Sequence, residues 1–303
     1  MAPSADLDKV VRLVEEQEER MRAITRGKSF MAIGAALLLV ASTGRAEETV
    51  TLTWRAPAEG STRTDTKNMD MKMDLVVRVN GQVVQDSNMT MRETEEVVTT
   101  VQQVSGDAAS KVQVEYRKAE KTQAQGQMEE QATSPTHGKT YVVERKGEEL
   151  AVTAPDGSTP SEEEQEVVAK DQRDLGRTDR FFRLLPKTPL TVGQVFQVSP
   201  EDARDAFPPD DMEIKRFQMK LVAVNEGVAR FEVEMLAGGE PSEGLTMTVD
   251  LKGEFRVRVA DGRPIALNLA GPIEMKGLQE GDGQKVEFGG KGTMNMRFAA
   301  AYN

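Results

Sequence analysis

The most distinctive chemistry in this chain belongs to its methionines. Sixteen are present, thirteen of them from residue 47 onward. They recur in alternate positions: Met69, Met71 and Met73; Met89 and Met91; Met294 and Met296. Alternate residues of a β-strand share a face, so each group presents its thioethers together. Three uses fit such a face. Thioether sulfur selects Cu(I), and exported copper proteins pair methionines on strands, sometimes beside a tryptophan. Trp54, the single tryptophan, is the candidate here, with Met69, Met71 and Met73 as ligands. A flexible, polarisable face also suits a mixed population of apolar ligands. The third use is core packing, with Met replacing Leu and Ile where aromatic residues are only 5% of the chain. No histidine stands near the methionine groups in sequence, which weighs against copper.

Other candidate chemistry is thin. His137 is the only histidine and lies in the polar run SPTHGK without a triad partner nearby in sequence, so it reads as a solvent-exposed loop residue. The absence of cysteine excludes disulfides, thiolate nucleophiles, cysteine-ligated metals and a lipid-modified N-terminal cysteine. Glu201, Asp202, Asp205, Asp210, Asp211 and Glu213 lack EF-hand spacing and read as a solvated loop broken by Pro208 and Pro209. Carboxylate pairs are too common in so acidic a chain to mark glycoside chemistry. Gly238-Gly239 and Gly289-Gly290 read as hairpin turns, not phosphate loops. No catalytic residue, cofactor or resident metal is assigned, and the protein reads as a non-enzyme.

The elements that hold these residues are strands. From Thr49 the pattern has period two, the mark of strands with one buried face. Met69, Met71, Met73, Leu75, Val77 and Val79 alternate with Asp70, Lys72, Asp74, Val76 and Arg78, and Asn80-Gly81 then signals a hairpin. Further hairpins are expected at Lys146-Gly147, Glu226-Gly227 and Asp261-Gly262. Between them, Ser161 and Glu164 form a capping box for a helix of three or four turns, and Phe181, Phe182, Leu184 and Leu185 pin the segment to a sheet. The expectation is a mainly β protein of long antiparallel hairpin meanders with one central helical segment. A half-barrel, a clam-like barrel and a sandwich of curved sheets all fit. The domain reading is 1–46 leader and signal, 47–158 N-terminal β half, 159–189 helical connector and 190–303 C-terminal β half.

Residues 21–46 carry Arg22, Arg26 and Lys28, then an uncharged apolar stretch from Phe30 to Ala41, then small Gly44 and Ala46. These are the parts of a secretory signal peptide cut after Ala46. Residues 1–20 read either as a stretch upstream of a true start at Met21 or as a long cytosolic leader. The apolar stretch is shorter than the ~20 residues that span a bilayer. The expected location is therefore periplasmic or secreted, with no membrane embedding after cleavage. The portion from residue 47 carries 32 Lys/Arg against 44 Asp/Glu, which argues against nucleic acid as a partner. Too few tyrosines and tryptophans (3 and 1) are present for the girdles of an outer-membrane barrel.

In order along the chain come a Met/Val strand followed by a Gly-Gln hairpin, a V-x-x-V segment leading into KVQVEYRK, the run GKTYVVERKGEELAVTAPDG, and LPKTPLTVGQVFQV with Pro186, Pro189 and Gly193. In that order they resemble an uncharacterised family of secreted and periplasmic bacterial β-proteins, a domain of unknown function. The resemblance implies envelope location and fold type and carries no site residues. Three partner classes follow: an apolar small molecule or lipid on a Met/Val-lined curved sheet, an envelope protein docked on a sheet edge or acidic face, or Cu(I) on the Met pairs.

Overall fold

The alternation that dominates the sequence becomes one long antiparallel ladder. The computed structural model describes residues 49–303 except 127, 208–211, 243 and 282–283. They belong to one compact unit, Glu47–Asn303. The signal peptide and its cleavage site therefore lie outside the described residues, as do Pro208, Pro209, Asp210 and Asp211.

The N-terminal strands are β1 (Thr49–Val50), β2 (Thr62–Val79), β3 (Gln82–Ser105), β4 (Ala108–Gln125), β5 (Met128–Thr133), β6 (Thr140–Lys146) and β7 (Glu149–Thr153). Helices α1 (Glu162–Asp171), α2 (Arg180–Arg183) and α3 (Pro200–Ala206) follow, interrupted by β8 (Leu190–Thr191) and β9 (Val195–Gln197). The remainder is β10 (Met212–Asn225), β11 (Val228–Ser242), β12 (Leu245–Arg258), β13 (Pro264–Gly281) and β14 (Gln284–Tyr302). Twelve strands make one sheet in the order β7-β6-β4-β3-β2-β14-β13-β12-β11-β10-β9, with β5 added to β4. Its two ends do not meet, so the sheet is open and not a barrel. β1 and β8 form a separate two-stranded ribbon.

The first long strand pairs with the last. β2 and β14 run in register from Val79↔Val286 to Arg63↔Tyr302, so the two meanders share one sheet. Local turn chemistry sets each hairpin: Asn80 (φ 51°) and Gly81 (φ 81°) both take the left-handed conformation that a two-residue turn requires.

Three interior glycines let neighbouring strands approach closely enough for the sheet to curl. A methyl group at Gly253, Gly271 or Gly292 would stand 1.8–1.9 Å from a carbonyl oxygen of the neighbouring strand. All three lie on the face that carries the methionines, where the backbones crowd together. Pro272, beside Gly271, has no N–H to give, and the β12–β13 ladder skips from Val249↔Ile273 to Lys252↔Ala270. The hairpin reading of Gly238-Gly239 and Gly289-Gly290 is corrected: they lie inside β11 and β14. Four strands of 14–19 residues leave no turn at either place.

The concave face is the core. Buried Phe217, Met219, Phe231, Leu251, Phe255 and Leu269 pack with Leu184 and Leu185 from the connector and Leu190 of β8. The convex face is wet and laced with cross-strand ion pairs, such as Arg92–Asp70 at 2.7 Å and Lys252–Glu234 at 3.1 Å. A second cluster joins Val97, Val114, Tyr116, Tyr141 and Val143 to Val168 of α1. Ser161 and Glu164 form the expected capping box. The acidic stretch is corrected from loop to helix over its first part: Ser199 caps α3 by accepting from the Asp202 N–H, and Pro200 opens it.

His137 is also corrected. It is half-buried, and its Nδ1 accepts from the Ala119 N–H at 3.0 Å. β4 changes partner here, pairing β6 through residues 111–115 and β5 through residues 120–125. The loop 134–139 supplies the missing backbone partners: Tyr116 N–H donates to Lys139 and Ser134 N–H to Ala119. His137 completes that exchange.

Candidate functional site

On β2 the concave face carries, in order, Arg63, Asp65, Lys67, Met69, Met71 and Met73. Charge therefore gives way to thioether along one strand. β14 lies alongside with Tyr302, Ala300, Phe298, Met296, Met294 and Gly292 in the matching rows. β3 supplies Thr99, Val97, Glu95, Glu93, Met91 and Met89 on the other side. The seven methionines singled out from sequence thus share one face of three adjacent strands. Met91, Met71 and Met294 form one row across them, with side chains spaced ~5 Å apart. Met73 is 3% exposed and Met71 9%, so these two are packed in the core.

A cavity of about 540 Å³ opens on this face. Met69, Met294 and Met296 line it, joined by Met212 of β10 and Met235 of β11. Met71, Met73, Met89 and Met91 lie beyond its walls. Glu95 of β3 and Ile214 of β10 both line it, although six strand spacings separate them in the sheet order. On a flat sheet that distance would be roughly 29 Å at ~4.8 Å per strand. One cavity touches both because the sheet is curled. Phe181 of α2 and Phe207, which follows α3, close it from the open side. Phe181 lies 5.3 Å from the Phe298 ring and 5.8 Å from the Phe207 ring, centroid to centroid.

One end of this groove is ionic. Lys67 Nζ donates to Glu95 Oε2 at 3.0 Å. Glu95 Oε1 is buried and meets no donor among the described residues. Burial pushes the Glu95 carboxyl above its usual range, against the pull of Lys67, and Asp171 adds to the rise. Burial alone would lower the Lys67 ammonium, but Glu95 and Asp171 outweigh it and the group stays raised. Arg63 bridges Asp65 at 2.6 Å and Asp179 at 2.9 Å. Arg180 meets Asp174 at 2.5 Å. Tyr116 donates to Asp171 Oδ2 at 3.1 Å, and burial first, then Asp171, drives its phenol far upward.

Trp54 stands apart from the methionines. Its indole N–H donates to the Asp107 carbonyl at 2.9 Å, and its ring packs on Phe182 at 5.6 Å. The neighbouring Arg55 N–H donates to the Asp261 carbonyl, at the Arg63 end of the sheet. Six residues, roughly 20 Å of strand, separate Arg63 from Met69. The copper grouping of Met69, Met71, Met73 and Trp54 is thus not assembled.

Sequence reasoning missed the ionic end, although a signal was present. Asp65 and Lys67 occupy the same alternate positions as Met69, and charge on a buried alternation is a departure worth reading. It also missed Met212 and Met235, which stand in no Met-x-Met pair and which only the curl brings to the cavity.

No family model matches the chain, and no curated protein matches it. Several solved structures show a distant likeness to it, two of them as follows. A structure on lipid–protein interactions in lipovitellin aligns at 6% identity with a TM-score of 0.39, over 81% of this chain and 26% of that one. The translocator domain of the autotransporter NalP from Neisseria meningitidis aligns at 8% identity with a TM-score of 0.18, over 95% and 97%. The chain spans about a quarter of the lipovitellin length. At these scores neither likeness carries an argument about fold or function. No helix among the described residues is long and apolar enough to cross a membrane.

Proposed function

We propose that this is an exported envelope protein that holds an apolar or amphiphilic molecule, such as a lipid, in the groove of its curled sheet, with a binding role and no catalysis. The single observation behind this reading is the 540 Å³ groove, apolar along the methionines and ionic at one end. Its volume lies within the ~300–1,000 Å³ of ordinary ligand sites. Methionine suits the apolar wall because its unbranched side chain repacks around chains of different shape. The ionisable side chains at the polar end are held in pairs, which suits positioning a head group more than transferring protons.

Native mass spectrometry of protein purified gently from its own host's envelope tests this. The reading expects extra mass matching a lipid or other apolar molecule. A bare mass that stays bare after incubation with the host's lipid extract would sink it. Added mass near one copper would favour the methionines as a Cu(I) site instead.

A further inference from the structure

The ionic end of the groove is selective in what it leaves unpaired. Its cations are engaged: Arg63 with Asp65 and Asp179, Lys67 with Glu95, Arg180 with Asp174. Arg297, in register with Asn68, also lines the cavity and is likewise engaged in an interaction of its own. An anionic head group would have to displace a carboxylate from one of these pairs, trading one ion pair for another. The acceptors are not all engaged, because Glu95 Oε1 is buried without a donor. A buried acceptor left unmade is costly, so a ligand that supplies the donor gains affinity, about tenfold or more. Glu95 is also well placed. In the next row along the strands, Glu93, Met69 and Met296 lie side by side. A head held at Glu95 therefore leaves its chain one strand repeat, ~7 Å, from the thioethers.

We propose, resting on the amphiphile reading above, that the head group recognised in this groove is a hydrogen-bond donor without negative charge, a hydroxyl or an ammonium, and that it donates to Glu95 Oε1. Lys67 holds the other oxygen and fixes the carboxylate's orientation. The groove then discriminates among amphiphiles by their heads while the methionines accept the chain.

The test compares three probes of equal chain length against the lipid-stripped protein at pH 7 and physiological salt: monododecanoylglycerol, dodecylamine and dodecanoate. The glyceride or the amine, or both, should bind at least about tenfold more tightly than dodecanoate, the worth of one hydrogen bond to a charged group. Whichever of the two binds tighter identifies the donor as hydroxyl or ammonium. Glu95→Gln frees Lys67 from its carboxylate, so dodecanoate should gain affinity and the preference should shrink or invert. Thermal unfolding of the variant checks that it is folded, and the wild-type comparison stands without it. Dodecanoate binding as tightly as the other two, or tighter, overturns the head-group assignment and leaves the groove reading intact. No binding by any of the three overturns both.

Discussion

Placing a methyl group on Gly292 of β14 should damage the whole protein, whereas the same change at Gly289, three residues away on the same strand, should not. At Gly292 the added carbon would stand 1.9 Å from the Lys72 carbonyl oxygen and 2.8 Å from the Met73 Cα. Both are backbone atoms of β2, so no side chain can swing aside. The ladder must open until the contact exceeds about 3 Å, and it does so in the joint between the two meanders. Overpacking of well-packed sites costs ~1–3 kcal/mol, and a clash with rigid backbone lies at or above the top of that range. At Gly289 the nearest atom is the Val76 carbonyl oxygen at 3.9 Å, an ordinary contact. Losing a glycine's freedom in the unfolded chain then gives at most ~1 kcal/mol of stabilisation. Thermal unfolding followed by the fluorescence of Trp54 should show Gly292→Ala lowered by roughly 6–12 °C, at 2–4 °C per kcal/mol for a domain of this size, with Gly289→Ala unchanged or raised. Equal midpoints for the two variants would refute the claim that interior glycines permit the curl.

Further outcomes follow from the same geometry. Glu226 holds φ 50° in the β10–β11 turn, a conformation that strains most side chains. Glu226→Asn should raise stability by ~0.5–1 kcal/mol in urea unfolding, and a loss would contradict the turn assignment. Glu164 accepts from Lys139, from the Ser161 backbone and from Tyr141, which lowers its pKa from 4.5 to about 2. A depressed carboxyl stabilises fully above its unfolded pKa, so this contribution is complete above pH 4.5 and lost as pH falls towards 2. Glu164→Gln keeps the capping-box acceptor, and its stability deficit should therefore shrink steadily over that window when denaturation midpoints are compared. Replacing Met69 and Met296 together by Gln would set two amides in the apolar wall. Alkyl-chain affinity should fall at least about tenfold with the head-group preference unchanged, measured by calorimetry.

What the sequence revealed was what is local. Asn80-Gly81 and Glu226-Gly227 announced their turns because left-handed backbone needs those residues at that spot. The Met69–Val79 alternation announced a strand with one buried face, and Ser161 with Glu164 announced a helix start. The pairing of β2 with β14 was not legible, because it joins residues more than two hundred positions apart. Nor was the curl: Gly253, Gly271 and Gly292 have no turn chemistry around them, and their purpose appears only when neighbouring backbones are in place. The groove inherits that limit. Of its methionines, Met69, Met294 and Met296 were visible from spacing and Met212 and Met235 were not, and the Lys67–Glu95 pair required knowing that β2 and β3 bring those two positions opposite each other.

The central claim is that an apolar chain lies on the methionine face, and the thirteen methionines from residue 47 onward make their own reporters. With methionine methyl groups labelled with carbon-13, adding monododecanoylglycerol or dodecylamine should move the resonances of Met69, Met212, Met235, Met294 and Met296, which line the cavity. Met128, 74% exposed on β5, and Met219, 1% exposed in the core, should stay in place. A ligand that binds while the cavity methionines stay unmoved, or that moves Met128 alone, would contradict the account.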